Sequence, residues 1–481
     1  MICANERAEE RNGVLSNNKN NALIKGMGIY AIGTFGTKIL SFLIVPLYTY
    51  YITTSDMGVY DVINSTISLL IPIISMQIFD AAYRWIIQDD VADKEEYICA
   101  TLHMVFLNAI VSVGIILIIN HIYEIPFCGY FCSILILSLL FQAIQKLLRG
   151  LNNQWLFAIS GIVYSFVFLT SNVLQIVVFK HGIKSLFQST VMASVVSIAL
   201  IFAMEPRLRI NYFRRSNLRL VRELYKYSIP LVPNQLNWWV INASDRYVVM
   251  FAMGSSATGI LAVAHKFPTM LQSILNLFTS SWQDLSIAEG KQDSKEYYTA
   301  VFRTYYTFAL SALWVIIPLS KIVMSAILSR AYQSAADYVA FYYLGTVFQA
   351  FSSFYGVGYL KSTKTGKAFT TSVYGAIVNA VVNIALVKFI GIQAAALSTF
   401  CGFLIMWLIR ERQNRSELNI QIQWIHFGFY TIFSVIISIM SICSNVIVNS
   451  IIATAGGILF LIFNKKIFCH MIYLLKNKIK R

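Results

Sequence analysis

The sequence has 481 residues, of which 57% are hydrophobic and 12% are charged, and its formal net charge is +16. A soluble domain carries about 25% charged residues, so this composition excludes an ordinary soluble protein. The apolar residues form long blocks, each close to the roughly 20 residues that a membrane-spanning helix needs. The alternating ~10-residue segments of a β-barrel are not part of the pattern. We therefore predict an all-α polytopic membrane protein.

In chain order, a polar stretch at residues 1–25 precedes every apolar block. Glu6, Glu9 and Glu10 argue against a cleavable signal peptide, so we predict a disordered cytoplasmic tail. The apolar blocks that follow predict fourteen transmembrane helices. Their approximate limits are 26–50, 57–79, 98–119, 127–148, 155–179, 183–204, 228–252, 257–283, 300–319, 338–359, 368–388, 391–409, 425–445 and 447–463. No loop between them is long enough to fold as a separate domain.

The distribution of Lys and Arg predicts the orientation, because cytoplasmic loops carry an excess of both. With the N terminus inside, the inner segments hold 30 of these residues and the outer loops hold 5. This bias places both termini in the cytoplasm, including a basic tail at 464–481 that has the character of an interfacial helix. A basic linker at 205–227 contains the strongest loop, Arg207–Arg222, which we interpret as an anchor on anionic lipid rather than a nucleic-acid site.

A weak internal repeat divides the chain. The second predicted span opens with "SDMGVY" (Ser55–Tyr60) and the eighth with "SATGIL" (Ser256–Leu261), so their glycines are 201 residues apart. The sixth and twelfth spans open with "HGIKSL" and "IGIQAA", 209 residues apart. These offsets predict two pseudo-symmetric six-helix bundles, 26–204 and 228–409, followed by two additional helices at 425–463. Parallel repeats are typical of transporters that bind substrate at the repeat interface.

Three basic residues lie well inside the apolar blocks: Lys38 in the first span, Arg246 in the seventh and Lys266 in the eighth. Charges inside a bilayer are costly and usually face a cavity on a substrate or ion path. Lys38 is about twelve residues from either end of its span, so its ammonium does not easily reach the interface. We expect all three cations to face a substrate.

Further polar side chains share the faces that carry these cations. The seventh and eighth spans contribute Asn242, Thr269, Ser273 and Asn276 at helical spacing. An isolated polar residue in a membrane helix can instead join two helices, which is worth about 0.6 kcal/mol. We predict that these four residues line the same cavity as the cations.

Two acidic residues accompany the cations. Asp61 lies in the second span, and Asp245 directly precedes Arg246. Adjacent side chains on a helix diverge by about 100°, so we expect that Asp245 and Arg246 are not simply each other's partners. These carboxylates could serve either in ion coupling or in charge pairing. For Asp245, a structural role in pairing with a neighbouring helix is a further alternative. The basic excess favours an anionic substrate, because Arg and Lys bind phosphate groups.

Several other classes of site are not indicated. Among the seven cysteines only Cys128 and Cys132 are close, without a neighbouring histidine or a second cysteine pair. The phosphate-binding pattern GxxxxGK[ST] is absent from the sequence. We therefore expect no metal site, no cofactor, no disulfide framework and no catalytic centre.

Three stretches carry a family resemblance. They are "YSIPLVPNQLNWWVINASDRYVVMFAMGSSATGILAVAHKF" (Tyr227–Phe267), "SDMGVYDVINSTISLLIPIISMQIFDAAYRW" (Ser55–Trp85) and "GIQAAALST" (Gly391–Thr399). In order and spacing they resemble the polysaccharide transporters, the oligosaccharide flippases of the multidrug/oligosaccharidyl-lipid/polysaccharide exporter superfamily. The resemblance spans roughly residues 25–465. Leu261 departs from the family pattern, because a tyrosine is usual after Gly-Ile.

The resemblance implies a protein of the bacterial plasma membrane. It would move an undecaprenyl-pyrophosphate-linked oligosaccharide from the inner to the outer leaflet by alternating access, for surface polysaccharide biosynthesis such as O-antigen, capsule or exopolysaccharide. The partners implied are the lipid-linked substrate and membrane lipids. A proton or sodium gradient and a polysaccharide polymerase are further partners left open.

Three alternatives stand beside this hypothesis. A drug or cation antiporter of the same superfamily would use a site dominated by carboxylates, which the three intramembrane cations argue against. A membrane glycan polymerase or ligase would be expected to have long external loops with catalytic residues. A lipid II flippase is a close relative that the sequence hardly separates from the first hypothesis.

Overall fold

The computed structural model describes residues 36–37, 40, 42–88, 94–212, 217–288, 295–361 and 365–469. All regular secondary structure in these ranges is helical. The predicted tail at 1–25 and the candidate residue Lys38 lie outside the described residues. Most of the predicted basic tail at 464–481 lies outside them as well.

The described part of the chain contains eighteen α-helices from Val45 onward. The first nine are α1 (Val45–Tyr51), α2 (Thr54–Ser75), α3 (Ile78–Gln88), α4 (Lys94–Tyr123), α5 (Cys128–Gly150), α6 (Gln154–Val173), α7 (Ile183–Met204), α8 (Pro206–Tyr212) and α9 (Leu218–Ser228). The others are α10 (Val232–Met253), α11 (Ser255–Ala288), α12 (Lys295–Ile327), α13 (Ala335–Lys361), α14 (Thr365–Ile390), α15 (Gln393–Gln413), α16 (Arg415–Leu418), α17 (Trp424–Cys443) and α18 (Val446–Phe463). A π-helical turn, Leu174–Val178, extends α6.

Ten of the helices in the described part of the chain are long and apolar enough to cross a membrane. They are α2, α4, α5, α6 with its π-helical turn, α7, α12, α14, α15, α17 and α18. Three more long helices, α10, α11 and α13, coincide with predicted spans but are richer in polar or tyrosine side chains. The all-α membrane fold is confirmed, while the count of fourteen spans stays a prediction.

The chain divides into two compact units. The first is built mainly from Ile67–Val232, and its inner residues include Leu102, Leu139 and Leu147, each fully buried. Asn108 joins three segments of this unit, because its side-chain amide donates to the Ile74 carbonyl at 2.8 Å and to the Tyr225 hydroxyl at 3.0 Å. The basic linker predicted at 205–227 contains α8 and α9.

The second unit combines Ile44–Thr66 with the chain from Pro233 onward. Its helices approach closely where small residues face each other, as expected in membrane proteins. A Cβ added at Gly402 would lie only 2.9 Å from the Gly375 carbonyl oxygen, so glycine permits the contact between α14 and α15. The predicted division into two six-helix bundles stays a prediction.

The two C-terminal helices pack against α12 within the second unit. The Trp314 indole nitrogen donates to the Ser434 hydroxyl at 2.9 Å, and the ring stacks on Tyr430 with centroids 5.3 Å apart. The Lys321 ammonium donates to the carbonyl oxygens of Ser441 and Ile442, both at 2.9 Å, at the end of α17. It also pairs with the Asp337 carboxylate at 2.8 Å. These contacts fasten the end of α17 to α12.

Candidate functional site

The centre of α10 carries a buried guanidinium between two carboxylates. Arg246 and Asp245 are only 9% and 1% exposed. The Nε atom of Arg246 donates to Asp61 Oδ2 at 2.7 Å, and Nη1 donates to Asp245 Oδ1 at 3.0 Å. Nη1 also donates to the Asn242 carbonyl oxygen at 2.8 Å, one turn earlier on α10. Charge-assisted hydrogen bonds of this kind are stronger than neutral ones, so the guanidinium is firmly held.

Asp245 has a second partner on α13. The hydroxyl of Tyr342, itself 1% exposed, donates to Asp245 Oδ2. The ring of His265 on α11 meets the Tyr342 ring edge-on, with centroids 5.0 Å apart. We use the name buried ion cluster for Asp61, Asp245, Arg246 and Tyr342. The cluster joins α2, α10 and α13 inside the second unit.

The structure shows how Asp245 and Arg246 share their hydrogen bonds. Asp245 and Arg246 are adjacent on α10, yet their side chains form a hydrogen bond at 3.0 Å. The long arginine side chain reaches back beside the carboxylate, which overcomes the angular separation of the two Cα–Cβ directions. As expected, the two are not simply each other's partners, because Arg246 also donates to Asp61 and Asp245 also accepts from Tyr342.

Two more contacts hold α2 beside α10 at the buried ion cluster. The indole nitrogen of Trp239 donates to the Ser65 carbonyl oxygen at 3.0 Å. The hydroxyls of Tyr247 and Thr66 are 2.6 Å apart. The half-buried tryptophan and tyrosine therefore join the facing helix through their polar ends.

Lys266, Thr269 and Ser273 follow one another along α11 as the sequence predicts. The Thr269 hydroxyl donates to the Lys266 carbonyl at 2.7 Å, and the Ser273 hydroxyl donates to the Thr269 carbonyl at 2.9 Å. All three side chains are partly exposed. The hydroxyl hydrogens are thus directed at the helix itself, while the hydroxyl oxygens stay available as acceptors.

The two candidate asparagines differ in their surroundings. Asn242 on α10 is partly exposed, and its amide donates to the Trp238 carbonyl at 2.7 Å. The main-chain carbonyl oxygen of Asn242 accepts a hydrogen bond from Arg246, so the Asn242 backbone helps to position the guanidinium. Asn276 on α11 is exposed. A substrate role for either residue stays a prediction.

Charge balance is the main electrostatic property of the buried ion cluster. One guanidinium faces two carboxylates, so the charge of Arg246 is compensated locally. The Asp61 side chain is 16% exposed and that of Asp245 only 1%. Asp61 is therefore the partner that a bound anion would reach first. The predicted basic excess of the site rests on Lys266 and on Lys38, which lies outside the described residues.

Tyr342 is the member of the cluster that the sequence analysis did not find. It lies in "FYYLG", a short aromatic run inside an apolar helix, which is typical of ordinary core packing. A phenol facing a carboxylate on another helix leaves no periodic signal. Only the packing of α13 against α10 reveals its role.

One protein-family model identifies the family of this chain. A family model described as "Polysaccharide biosynthesis protein" matches residues 23–282, which is more than half of the chain. The chain belongs to the polysaccharide biosynthesis protein family. The family resemblance found in the sequence is therefore confirmed. A search of curated proteins gives no match.

The fold of this family member is similar to folds known from solved structures. It is similar to "Lipid II flippase MurJ, inward closed conformation", with a TM-score of 0.70 and 15% identity over 92% of this chain and 99% of that one. It is also similar to an inward-facing multidrug resistance MATE family transporter of the MOP superfamily, with a TM-score of 0.62 and 11% identity. That match covers 82% of this chain and 94% of the transporter. At such identities the likeness establishes the fold alone, and with the ten apolar helices it supports a multi-pass membrane protein.

Proposed function

We propose that this protein is a flippase for an undecaprenyl-pyrophosphate-linked oligosaccharide repeat unit. It would carry the lipid from the inner to the outer leaflet of the bacterial plasma membrane by alternating access, for surface polysaccharide biosynthesis. Both termini would lie in the cytoplasm, as the loop charges predict. The observation that supports this most directly is the Arg246 guanidinium, buried in α10 at a predicted membrane span, in a family member with a transporter fold.

The geometry suggests how a diphosphate would be received. Arg246 shares its hydrogen-bond donors between Asp61 and Asp245, and Asp61 is the more exposed partner. A phosphate oxygen that replaces Asp61 offers the same acceptor and the same charge sign. Asp245, backed by Tyr342, would hold the guanidinium in place during the exchange. Arginine suits this role because its planar fork keeps two bonding directions at once.

Other candidate residues would complete the site. Lys266 would add a second positive charge on α11, and Lys38 a third. Thr269, Ser273, Asn242 and Asn276 would bind sugar hydroxyls, since hydroxyl and amide groups both donate and accept. Asp61, released from Arg246, would be the carboxylate available to a coupling proton or sodium ion.

Lipid II transport is a second candidate function, because of the fold. One similar structure is a lipid II flippase, so lipid II is an alternative lipid diphosphate cargo. A cation antiporter is a weaker alternative, because the more exposed carboxylate at this site is already paired with an arginine.

Reconstitution into liposomes tests the proposal. A labelled lipid-diphosphate oligosaccharide is loaded in one leaflet, and its appearance in the other is followed for the native protein, Arg246→Ala and Lys266→Ala. Arg219→Ala is the matched control, because this arginine is surface-exposed on α9. We expect transport to be lost in the first two variants and unchanged in the control.

Two outcomes would contradict the proposal. Normal transport by Arg246→Ala protein would remove the guanidinium from the substrate path. Uptake of a cationic dye under a proton gradient, without any lipid movement, would favour the antiporter. Lipid II supplied as the competing substrate distinguishes the two flippase activities.

A further inference from the structure

In the described part of the chain, two arginines are less than 10% exposed, Arg246 and Arg410. Arg246 lies between two carboxylates, those of Asp61 and Asp245. Arg410, near the end of α15, is 4% exposed and forms no ion pair with a carboxylate of the described residues. An unpaired buried charge is costly, so a counter-charge from outside the chain would stabilise Arg410.

Every described partner of the Arg410 guanidinium is neutral. Its Nε atom donates to the Thr371 hydroxyl at 3.0 Å, and Nη1 donates to the Ser352 carbonyl oxygen at 2.8 Å. Nη2 donates to the Ala368 carbonyl oxygen at 3.4 Å, and the Tyr359 ring centroid lies 5.9 Å from Cζ. A guanidinium has five N–H donors, so two of them have no acceptor among the described residues.

The acidic neighbour of Arg410 is engaged elsewhere. Glu411 follows Arg410 in the sequence and is also buried, with 3% exposed. Its Oε1 atom accepts from Nε and Nη2 of Arg415, at 3.1 and 3.0 Å, and its Oε2 atom accepts from Nη2 at 3.2 Å. Because Arg415 occupies both carboxylate oxygens, Glu411 does not neutralise Arg410. The local charge balance therefore stays positive.

The helices around Arg410 leave room for the guanidinium and add to its positive potential. A Cβ added at Gly356 on α13 would lie 3.3 Å from Nη1, so glycine lets the guanidinium approach this helix. Ala368 and Thr371 lie in the first two turns of α14, which begins at Thr365. A helix N-terminus carries a partial positive charge. The start of α14 and Arg410 thus attract an anion together.

Arg410 lies where a membrane helix reaches the bilayer surface. It directly follows the apolar span predicted at 391–409. Trp407, one turn earlier on α15, has its ring centroid 6.2 Å from that of Trp424, which is 47% exposed. Tryptophan is enriched at the level of the lipid headgroups. In the orientation predicted from the loop charges, this is the inner surface of the membrane.

We propose that Arg410 binds the phosphate of an anionic phospholipid headgroup at this end of α13, α14 and α15. A phosphodiester carries one negative charge and several acceptor oxygens, which suits one unpaired guanidinium. The Ala368 carbonyl oxygen has the longest bond to Arg410, so it is the acceptor that the phosphate replaces. Exposed Lys367 lies beside Ala368 and adds a second cation. Basic pockets between membrane helices are typical sites for such headgroups.

Native mass spectrometry of delipidated protein in detergent tests the site. Phosphatidylglycerol is added to the native protein, Arg410→Gln and Arg412→Gln. Arg412 is the matched control, because it is an exposed arginine on the same helix end. We expect Arg410→Gln to bind this lipid roughly tenfold more weakly, as the loss of a charge-assisted hydrogen bond implies, and Arg412→Gln to bind it like the native protein. Equal binding by the native protein and Arg410→Gln would overturn the proposal.

Inorganic phosphate distinguishes a lipid headgroup from a free anion. Thermal unfolding of the native protein and of Arg410→Gln is measured with phosphatidylglycerol and, separately, with inorganic phosphate at the same concentration. We expect the lipid to raise the Tm of the native protein more than that of Arg410→Gln, and inorganic phosphate to raise neither. Equal stabilisation of the native protein by inorganic phosphate would overturn the assignment to a lipid.

Two further measurements keep the test decisive if Arg410→Gln does not fold. Arg410→Lys retains the charge without the planar fork, so it should prefer phosphatidylglycerol over phosphatidylcholine, although with lower affinity than the native protein. A native protein without this preference would overturn the proposal without any variant. All of these readouts omit the transported substrate, so the site does not depend on the proposed function.

Discussion

The Tyr342 hydroxyl is predicted to stabilise the buried ion cluster more than an ordinary buried tyrosine hydroxyl stabilises its surroundings. It donates to Asp245, a carboxylate that is only 1% exposed. A hydrogen bond to a charged group contributes about 1.5–3 kcal/mol, and a neutral one about 0.5–1.5 kcal/mol. Tyr342→Phe should therefore lower the free energy of unfolding by about 1.5–3 kcal/mol.

The neighbouring residue supplies a matched control. Tyr343 is also buried on α13, and its hydroxyl lies 2.7 Å from the neutral Ser320 hydroxyl. Tyr343→Phe removes the same oxygen atom from the same helix, and we expect a loss of about 0.5–1.5 kcal/mol. Thermal unfolding of purified protein in detergent measures both variants, and liposome transport measures their activity. Only Tyr342→Phe should slow transport.

Two results on thermal stability would refute this reasoning. Equal losses of thermal stability in the two variants would mean that Asp245 does not depend on Tyr342 for a hydrogen-bond partner. A Tyr343→Phe protein that loses more stability than Tyr342→Phe would have the same meaning. Unchanged transport in Tyr342→Phe protein would separate the stability of the cluster from its function.

Two further predictions follow from named contacts. Asp61→Asn should bind a lipid diphosphate more tightly, by up to about tenfold, because Arg246 loses its more exposed carboxylate partner. Asp245→Asn should weaken binding of the same lipid. Equilibrium binding to liposome-reconstituted protein measures both affinities, and equal changes in the two variants would contradict the replacement of Asp61 by phosphate. Lys321→Met should accelerate amide hydrogen exchange at the C-terminal end of α17, which loses two carbonyl partners, while Lys388→Met, an exposed lysine, should leave it unchanged. Identical exchange in the two lysine variants would show that the end of α17 is held by other contacts.

Much of the fold could be predicted because the bilayer imposes strong rules on a sequence. Membrane helices must be long and apolar, so the limits of α2, α4, α5 and α7 fall close to their predicted spans. The same rules pointed to Arg246 and Asp61, because a charge in an apolar block is rare and costly. The family resemblance was carried by residue order and spacing and is confirmed by the family match.

By itself, the sequence determined the helical membrane architecture, the family and the rare charges within apolar blocks, since each of these is a property of one segment read along the chain. Only the tertiary structure decided which of these charges are partners. It placed Arg246 between Asp61 and Asp245, supplied Tyr342 from a distant helix, and brought Gly58 against Gly259. Contacts between helices far apart in sequence depend on how the helices pack, and the choice of partner produces no periodic pattern of residues in either segment.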